Sequence, residues 1–191
     1  VHTFGKCLFM PSDLTAGLEY NRDRLKDNMW GYDRHTDQTV NIYSAFLQNE
    51  WKNDRWGILI GGRLDKHNMV DNVIFSPRAN LRFNPTQNIN LRLSYSSGFR
   101  APQAFDADMH IAFAGGGIQT IQLADDLKEE RSQSWTASLN WDKPTEKHIV
   151  GFTLEGFYTK LKDAFILEEI ATDEAGNSIM QKQNGGTSNV T

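Results

Sequence analysis

Little in this sequence favours a helical, disulfide-bonded or nucleic-acid-binding protein. Its 191 residues include one cysteine, Cys7. No intrachain disulfide can form, and a lone thiol without neighbouring ligands makes no metal centre. No apolar run approaches the ~18 residues needed for a spanning helix. Mean hydropathy is −0.55. An α-helical membrane protein is thereby excluded. A membrane β-barrel is not, because its alternating strands average out as polar. Basic charge is not in excess either: the formal net charge is −4 and the pI about 5.7. That leaves no field to attract a phosphate backbone, so nucleic acid is not an expected partner. The opening VHTFGKCLFM has no basic segment leading into an apolar one, so no signal peptide is expected there. The chain is then cytosolic, or an internal piece of a longer protein. Finally, GxSxG, HExxH, CxxC, P-loop and helix-preceding GxGxxG motifs are all missing, so an enzyme is not expected.

What is present is period-two alternation between turn signals. Seven segments carry it: residues 14–21, 39–51, 55–65, 76–84, 88–97, 134–142 and 148–160. In residues 88–97, Ile89, Leu91, Leu93 and Tyr95 alternate with Asn88, Asn90, Arg92, Ser94 and Ser96. Weaker strand candidates lie at 2–9, 164–170 and 179–191. Tight turns are expected at Met10–Asp13, Asn53–Asp54, Pro85–Gln87 and Lys143–Glu146. Longer polar connections are expected at 22–38, 66–74, 98–131 and 171–178. Short and long connections therefore alternate. In an antiparallel up-and-down sheet, this puts every tight turn at one end and every long loop at the other. An outer-membrane barrel has this layout.

Alternation alone does not say whether the apolar face meets a protein core or lipid. The aromatics favour lipid. Trp51, Trp56, Phe83, Trp141 and Phe152 sit near the short turns. Tyr20, Tyr43, Tyr95, Trp135 and Tyr158 sit near the long loops. Between them the same face carries Ala, Leu and Ile. Two ring rows around an aliphatic band match the girdles at a bilayer's two interfaces. From Tyr43 to Trp51 the strand rises about 26 Å at roughly 3.3 Å per residue. Once tilted, that suits an apolar band of about 25 Å or slightly less. The opposite face carries Arg55, Arg63, Arg78, Arg82 and Arg92 among Asn and Ser. A soluble outer face or the lumen of a wide barrel would both look like this.

The run Asn90–Asp106, NLRLSYSSGFRAPQAFD, resembles the strand-then-loop signature of TonB-dependent outer-membrane receptors. Gly98-Phe99-Arg100-Ala101-Pro102 match its Phe-Arg-Ala-Pro block. Leu127-Lys128-Glu129-Glu130 resemble the Leu-Lys-Pro-Glu that follows the family's long outer loop, with Glu129 in place of proline. Gly156-Phe157-Tyr158 running to Lys162-Asp163 and then Asn184-Gly185-Gly186 follow in family order, and upstream Leu14–Tyr20 is similar to a family strand of the Gly-x-Glu-Tyr type. The resemblance implies an all-β fold. It would consist of antiparallel up-and-down strands of a transmembrane β-barrel, with residues 1–191 forming one partial barrel domain without its plug. It further implies an active transporter in the outer membrane of a Gram-negative bacterium. Such a protein takes up a scarce chelated nutrient (an iron–siderophore, haem or cobalamin). Its partners would be outer-membrane lipid, the plug domain of the same parent chain, and TonB.

No cofactor is expected. The residues that could face a ligand lie in and beside the 98–131 connection: Arg100, Gln103, Phe105, Asp106, Asp108, His110 and Phe113. Asp106, Asp108, Met109 and His110 mix hard and soft donors at a spacing that fits no standard metal motif, so no metal site is assigned. Arg100 is equally placed to anchor the loop by an ion pair. Asp71, Asp125, Asp126, Asp173 and Glu174 read most simply as solvated loop carboxylates. Two rivals remain at the level of sequence. One is a soluble all-β ligand-binding module, a sandwich or lipocalin-like barrel. The other is a β-rich surface enzyme using the 98–131 loop. Adjacent Glu129 and Glu130 would point to opposite faces of a strand, which makes them a poor acid/base pair.

Overall fold

Period-two sequence becomes extended strand throughout. The computed structural model describes residues 1–29, 34–102, 119–172, 176 and 178–191. Among these there is no helix. The strands are β1 (His2–Cys7), β2 (Met10–Met29), β3 (Arg34–Lys52), β4 (Trp56–His67), β5 (Ile74–Thr86), β6 (Ile89–Arg100), β7 (Gln119–Leu123), β8 (Glu130–Pro144), β9 (Ile149–Lys162), β10 (Phe165–Thr172), β11 (Ser178–Asn184) and β12 (Ser188–Val190). Nine form one open antiparallel sheet in the order β1-β2-β3-β4-β5-β6-β8-β9-β12. The remaining three form a second sheet, β10-β11-β7, whose β11–β7 pair is parallel.

All seven clear strands expected from alternation are present, and several extend further. β2 and β3 stay paired from Ser12↔Trp51 to Met29↔Arg34, so most of the 22–38 connection is hairpin. Arg24 and Asp37, diagonal across it, form a two-pronged ion pair (Nε–Oδ1 3.1 Å, Nη2–Oδ2 2.7 Å). The expected turn at Met10–Asp13 is instead the start of β2. The reversal falls at Leu8-Phe9, where Leu8 takes φ +64°, a left-handed backbone that a leucine adopts at some cost. The 98–131 connection is shortened from both ends by β6 and β8 and contributes β7.

Among the described residues no second layer covers the sheet. Among the described residues the buried hydrophobics are only Val40, Val70, Ile74 and Ala101. Leu18 is 87% exposed and Leu154 66%. A water-soluble domain of this size would bury most of its leucines against another layer. The rivals that enclose the aliphatic face in a core are therefore not what this chain builds.

Candidate functional site

Register decides which side chains share a face, because neighbours along a strand point to opposite sides. From β2 to β9 the pairing joins the aliphatic residues into one continuous surface. Leu18 faces Ala45, which faces Leu64. Ile58 faces Leu81, which faces Leu93, which faces Ala137. Leu91 faces Leu139, which faces Leu154. The ten singled-out aromatics all lie on this surface and meet across strands. On the long-connection side, Tyr20 stacks on Tyr43 at 4.8 Å, and Tyr95 lies 4.4 Å from Trp135, itself paired with Tyr158. On the short-turn side, Trp56 stacks on Phe83 at 4.2 Å, Trp141 lies 6.2 Å from Phe152, and Trp51 stacks with Phe9 at 5.7 Å. Phe9 belongs to the same border and was not singled out, because the β1–β2 turn was expected at Met10–Asp13 and falls at Leu8-Phe9.

The opposite face is polar and internally bonded. Arg63 is its most engaged cation. Its Nε donates to Asp65 Oδ1 at 2.8 Å, Nη1 to Glu19 Oε2 at 2.9 Å, and Nη2 to Ser44 Oγ at 2.7 Å. Ser44 Oγ donates in turn to Asp65 at 2.6 Å. Asp65 is 2% exposed, so the guanidinium and hydroxyl replace its water. Lower on this face Arg82 and Arg92 stand directly opposite each other, a pairing that costs energy unless the charges are dispersed. They are: Arg82 Nη2 donates to the Asn53 carbonyl at 3.0 Å, and Arg92 Nε to Asn90 Oδ1 at 2.8 Å. Gly61 lies where an added Cβ would come within 2.6 Å of Gln48 Cβ and 3.0 Å of the Leu47 carbonyl. Only glycine allows the two strands to meet so closely there.

Of the ligand-facing candidates, Arg100 is the one within the described residues. Gln103, Phe105, Asp106, Asp108, His110 and Phe113 lie outside them, as do Asp173 and Glu174. Arg100 stands at the root of the long connection. Its Nη2 lies 3.4 Å from Glu130 Oε2, and its Cζ lies 4.9 Å from the Phe165 ring centroid. Glu130 also accepts the Phe165 backbone N–H at 3.0 Å. Nearby, Asn184 ties three segments together. Its Oδ1 accepts the Lys128 N–H at 2.9 Å, and its Nδ2 donates to the carbonyls of Lys128 (3.1 Å) and Asp163 (2.7 Å). The roots of two long connections are thus clamped together. Glu130, Phe165 and Asn184 were missed as clamp residues because their partners lie 21 to 56 positions away.

Beside this clamp a cleft of about 610 Å³ gathers Asp71, Asp125, Asp126, Glu129 and Asp163. Glu129 is held by Arg131 (2.6 Å). Among the described residues no group of three His, Cys, Asp or Glu is arranged to hold a metal ion. Under the β4–β5 connection, Val70, Ile74 and Ala101 form a small core with Phe99 against it. His67, 1% exposed, accepts the Met69 N–H on Nδ1 at 3.0 Å. Burial pushes its pKa below the usual histidine value, against the opposing pull of the Asp65 carboxylate.

An open, two-faced sheet of this kind has known relatives. The family described as TonB dependent receptor-like, beta-barrel matches residues 2–191. No curated protein matches the chain. Among solved structures, the siderophore receptor PirA from Pseudomonas aeruginosa superposes with a TM-score of 0.75 at 18% identity, covering 98% of this chain and 36% of that one. A ferric enterobactin receptor (PfeA) from the same organism, in complex with enterobactin, gives 0.74 at 18% identity over 97% and 30%. The FrpB iron transporter from Neisseria meningitidis gives 0.64 at 16% identity over 95% and 30%. The chain spans about a third of the length of these receptors, and its sheet is unclosed. It belongs to the TonB-dependent receptor family as a partial transmembrane β-barrel.

Proposed function

We propose that this chain is a wall segment of an outer-membrane active transporter from a Gram-negative bacterium. The whole protein binds a scarce chelated nutrient on the long-loop side, an iron–siderophore foremost, and imports it with energy delivered by TonB. The observation that carries this is the family match over residues 2–191, with siderophore receptors and an iron transporter among the structural neighbours. The physical layout agrees. One face suits hydrocarbon; the other is polar, carries Arg63, Arg78, Arg82 and Arg92, and suits a lumen filled by a plug of the same parent chain. The ten aromatics mark the two borders of the hydrocarbon. Arg100, Gln103, Phe105, Asp106, Asp108, His110 and Phe113 supply ligand contacts from the long connection, with Arg100 also holding that connection to Glu130 and Phe165. Transport of a chelate needs binding and release without covalent change, so no catalytic residue is assigned.

The test is uptake. A strain lacking the parent gene is grown with a ferric catecholate, haem or cobalamin as the limiting nutrient, with and without the restored gene. Restoration should rescue growth on one of the three, and only while TonB is functional. Unchanged uptake of every candidate refutes the reading. Brominated lipids that quench tryptophan at known depths should quench Trp51, Trp56, Trp135 and Trp141 near the headgroups; quenching deepest at the bilayer centre would refute the border assignment.

A further inference from the structure

Two segments far apart in sequence make the surroundings of Arg100. The first residue of β8 brings Glu130 opposite it, and the first residue of β10 brings the Phe165 ring to 4.9 Å from its Cζ. One carboxylate oxygen joins the two: Glu130 Oε2 lies 3.4 Å from Arg100 Nη2 and accepts the Phe165 N–H at 3.0 Å. The same ring also takes Lys182 Nζ at 4.9 Å. Two cations at one ring repel each other, and the negative π face of the ring offsets part of that cost. The Arg100 side chain nevertheless stays 46% exposed. Its guanidinium is oriented without being covered, and its planar fork of donors faces outward to an anionic group.

Strand ladders pair Arg100 with Glu130 and Phe165 with Asn184, but they do so in different sheets. The Asn184 side chain bridges the two. Lys128 lies between β7 and β8, in no strand. Asn184 Oδ1 accepts its N–H at 2.9 Å, and Nδ2 donates to its carbonyl at 3.1 Å. A side-chain amide thus meets both polar groups of one residue, as a neighbouring strand would. The second Nδ2 proton goes to the Asp163 carbonyl at 2.7 Å. Lys128 stands two residues before Glu130, and Asp163 two residues before Phe165. Each bond of Asn184 therefore fixes one of the two pieces that touch Arg100. The backbone around it is fixed as well: the Ala164 N–H donates to the Gly186 carbonyl at 3.0 Å, and the Gly185 N–H to the Ala164 carbonyl at 2.6 Å. Both donor protons of the amide are used, so Asn184 has none to offer a ligand.

We propose that Asn184 is a positioning residue for nutrient binding. It holds Glu130 and Phe165 together so that Arg100 presents its guanidinium to an anionic group of the chelate, and it does not touch the chelate itself. The inference rests on the transport reading and on Arg100 as a ligand contact. It places part of the control over binding in the β10–β11 hairpin, on a residue whose own hydrogen bonds are all internal.

The experiment uses the whole receptor that carries this segment, in nanodiscs, with a radiolabelled ferric catecholate, haem and cobalamin as probes. For the probe that the unsubstituted receptor retains, Asn184→Ala should speed dissociation about tenfold and change association little. Asn184→Asp keeps the bond from the Lys128 N–H and loses both donations, so it should fall between. Arg100→Gln should weaken binding, and the double variant with Asn184→Ala should bind no more weakly than Arg100→Gln alone, since Asn184 acts through Arg100. In the unliganded receptor, hydrogen exchange at the Lys128 and Phe165 amides should quicken in Asn184→Ala, while the amides around Leu139 and Leu154 keep their protection. Unchanged dissociation in Asn184→Ala, or additive losses in the double variant, overturns the proposal. If Asn184→Ala loses protection along the whole wall, the same cycle is run with Asn184→Asp, and additivity there overturns it equally. Normal retention with an additive cycle sinks this proposal alone. Retention of no probe by the unsubstituted receptor sinks the transport reading, and this proposal with it.

Discussion

Leu154 and Glu155 are neighbours on β9 that point to opposite sides of the sheet. Leu154 faces outward, paired with Leu139 and lying between Phe152 and Tyr158. Glu155 faces the polar side, paired with Ser138. An arginine introduced at each position asks which side meets hydrocarbon. On the lipid face near the bilayer middle, arginine costs about 2–4 kcal/mol. Leu154 is already 66% exposed, so its replacement leaves little protein cavity, and almost all the cost comes from putting charge into lipid. On the lumen face the change should stay within about 0.5 kcal/mol, as for an exposed site. At about 3 kcal/mol, Leu154→Arg shifts the folding equilibrium by roughly two orders of magnitude relative to Glu155→Arg. The assay is reversible guanidinium unfolding of the whole receptor in phospholipid vesicles, followed by tryptophan emission. Equal midpoints for the two variants, or a larger loss at Glu155, would refute the assignment of faces.

Three further outcomes are expected. Arg63→Met should destabilise the receptor by about 1–3 kcal/mol, because it strips a charged hydrogen bond from buried Asp65; Glu19→Gln, removing a half-exposed partner, should cost less, and a vesicle unfolding series ranks the two. Gly61→Ala should cost about 1–3 kcal/mol by forcing β3 and β4 apart, against a near-neutral Gly156→Ala, whose Cβ meets nothing within 4 Å. The upper rim should be acid-sensitive. His67 has a folded pKa below its unfolded value, so the unfolded rim takes up the proton first. The stabilisation is complete above the ordinary histidine range near 6.5 and is lost as pH falls through the lower folded value. Asp37, held down by its hydrogen bond to Arg24, loses its contribution at lower pH still. Relative to intrinsic exchange rates, protection of the β4 amides should therefore fall between neutral and mildly acidic pH in the native protein and not in a His67→Phe variant.

The strands and both ring rows were legible in the sequence because each depends on local alternation. Leu91 and Arg92 need no distant partner to show that they face opposite ways. The β1–β2 turn was misplaced because Pro11-Ser12-Asp13 looks like turn chemistry, while the actual reversal uses Leu8 at positive φ. Residues 22–38 looked like a loop because their polar composition hides pairing whose support is a cross-strand ion pair, Arg24–Asp37. The clamp at Arg100, Glu130, Phe165 and Asn184 was illegible for another reason. It joins the roots of connections that only strand pairing brings together, Arg100 opposite Glu130 and Phe165 opposite Asn184. Alternation identified the wall, and the long-range polar contacts that organise its rim left no periodic trace.

The open edges carry the argument from segment to whole protein. In hydrocarbon an unpaired backbone N–H or carbonyl costs several kcal/mol, so only closed sheets span a membrane. Here β12 covers β9 only from Thr159 to Leu161, and β1 reaches β2 only from Met10 to Leu14. The stretch of β9 at the level of the aliphatic band, around Leu154, has no partner on its far side among the described residues. Leu154 faces outward all the same, and its register with Leu139 and Leu91 continues the band to the last long strand of the sheet. A lipid-facing surface that runs unbroken to an unpaired edge requires further strands beyond it, since the hydrocarbon that rewards Leu154 penalises the bare edge beside it. The same physics that identifies the outward face therefore fixes where the rest of the barrel must join.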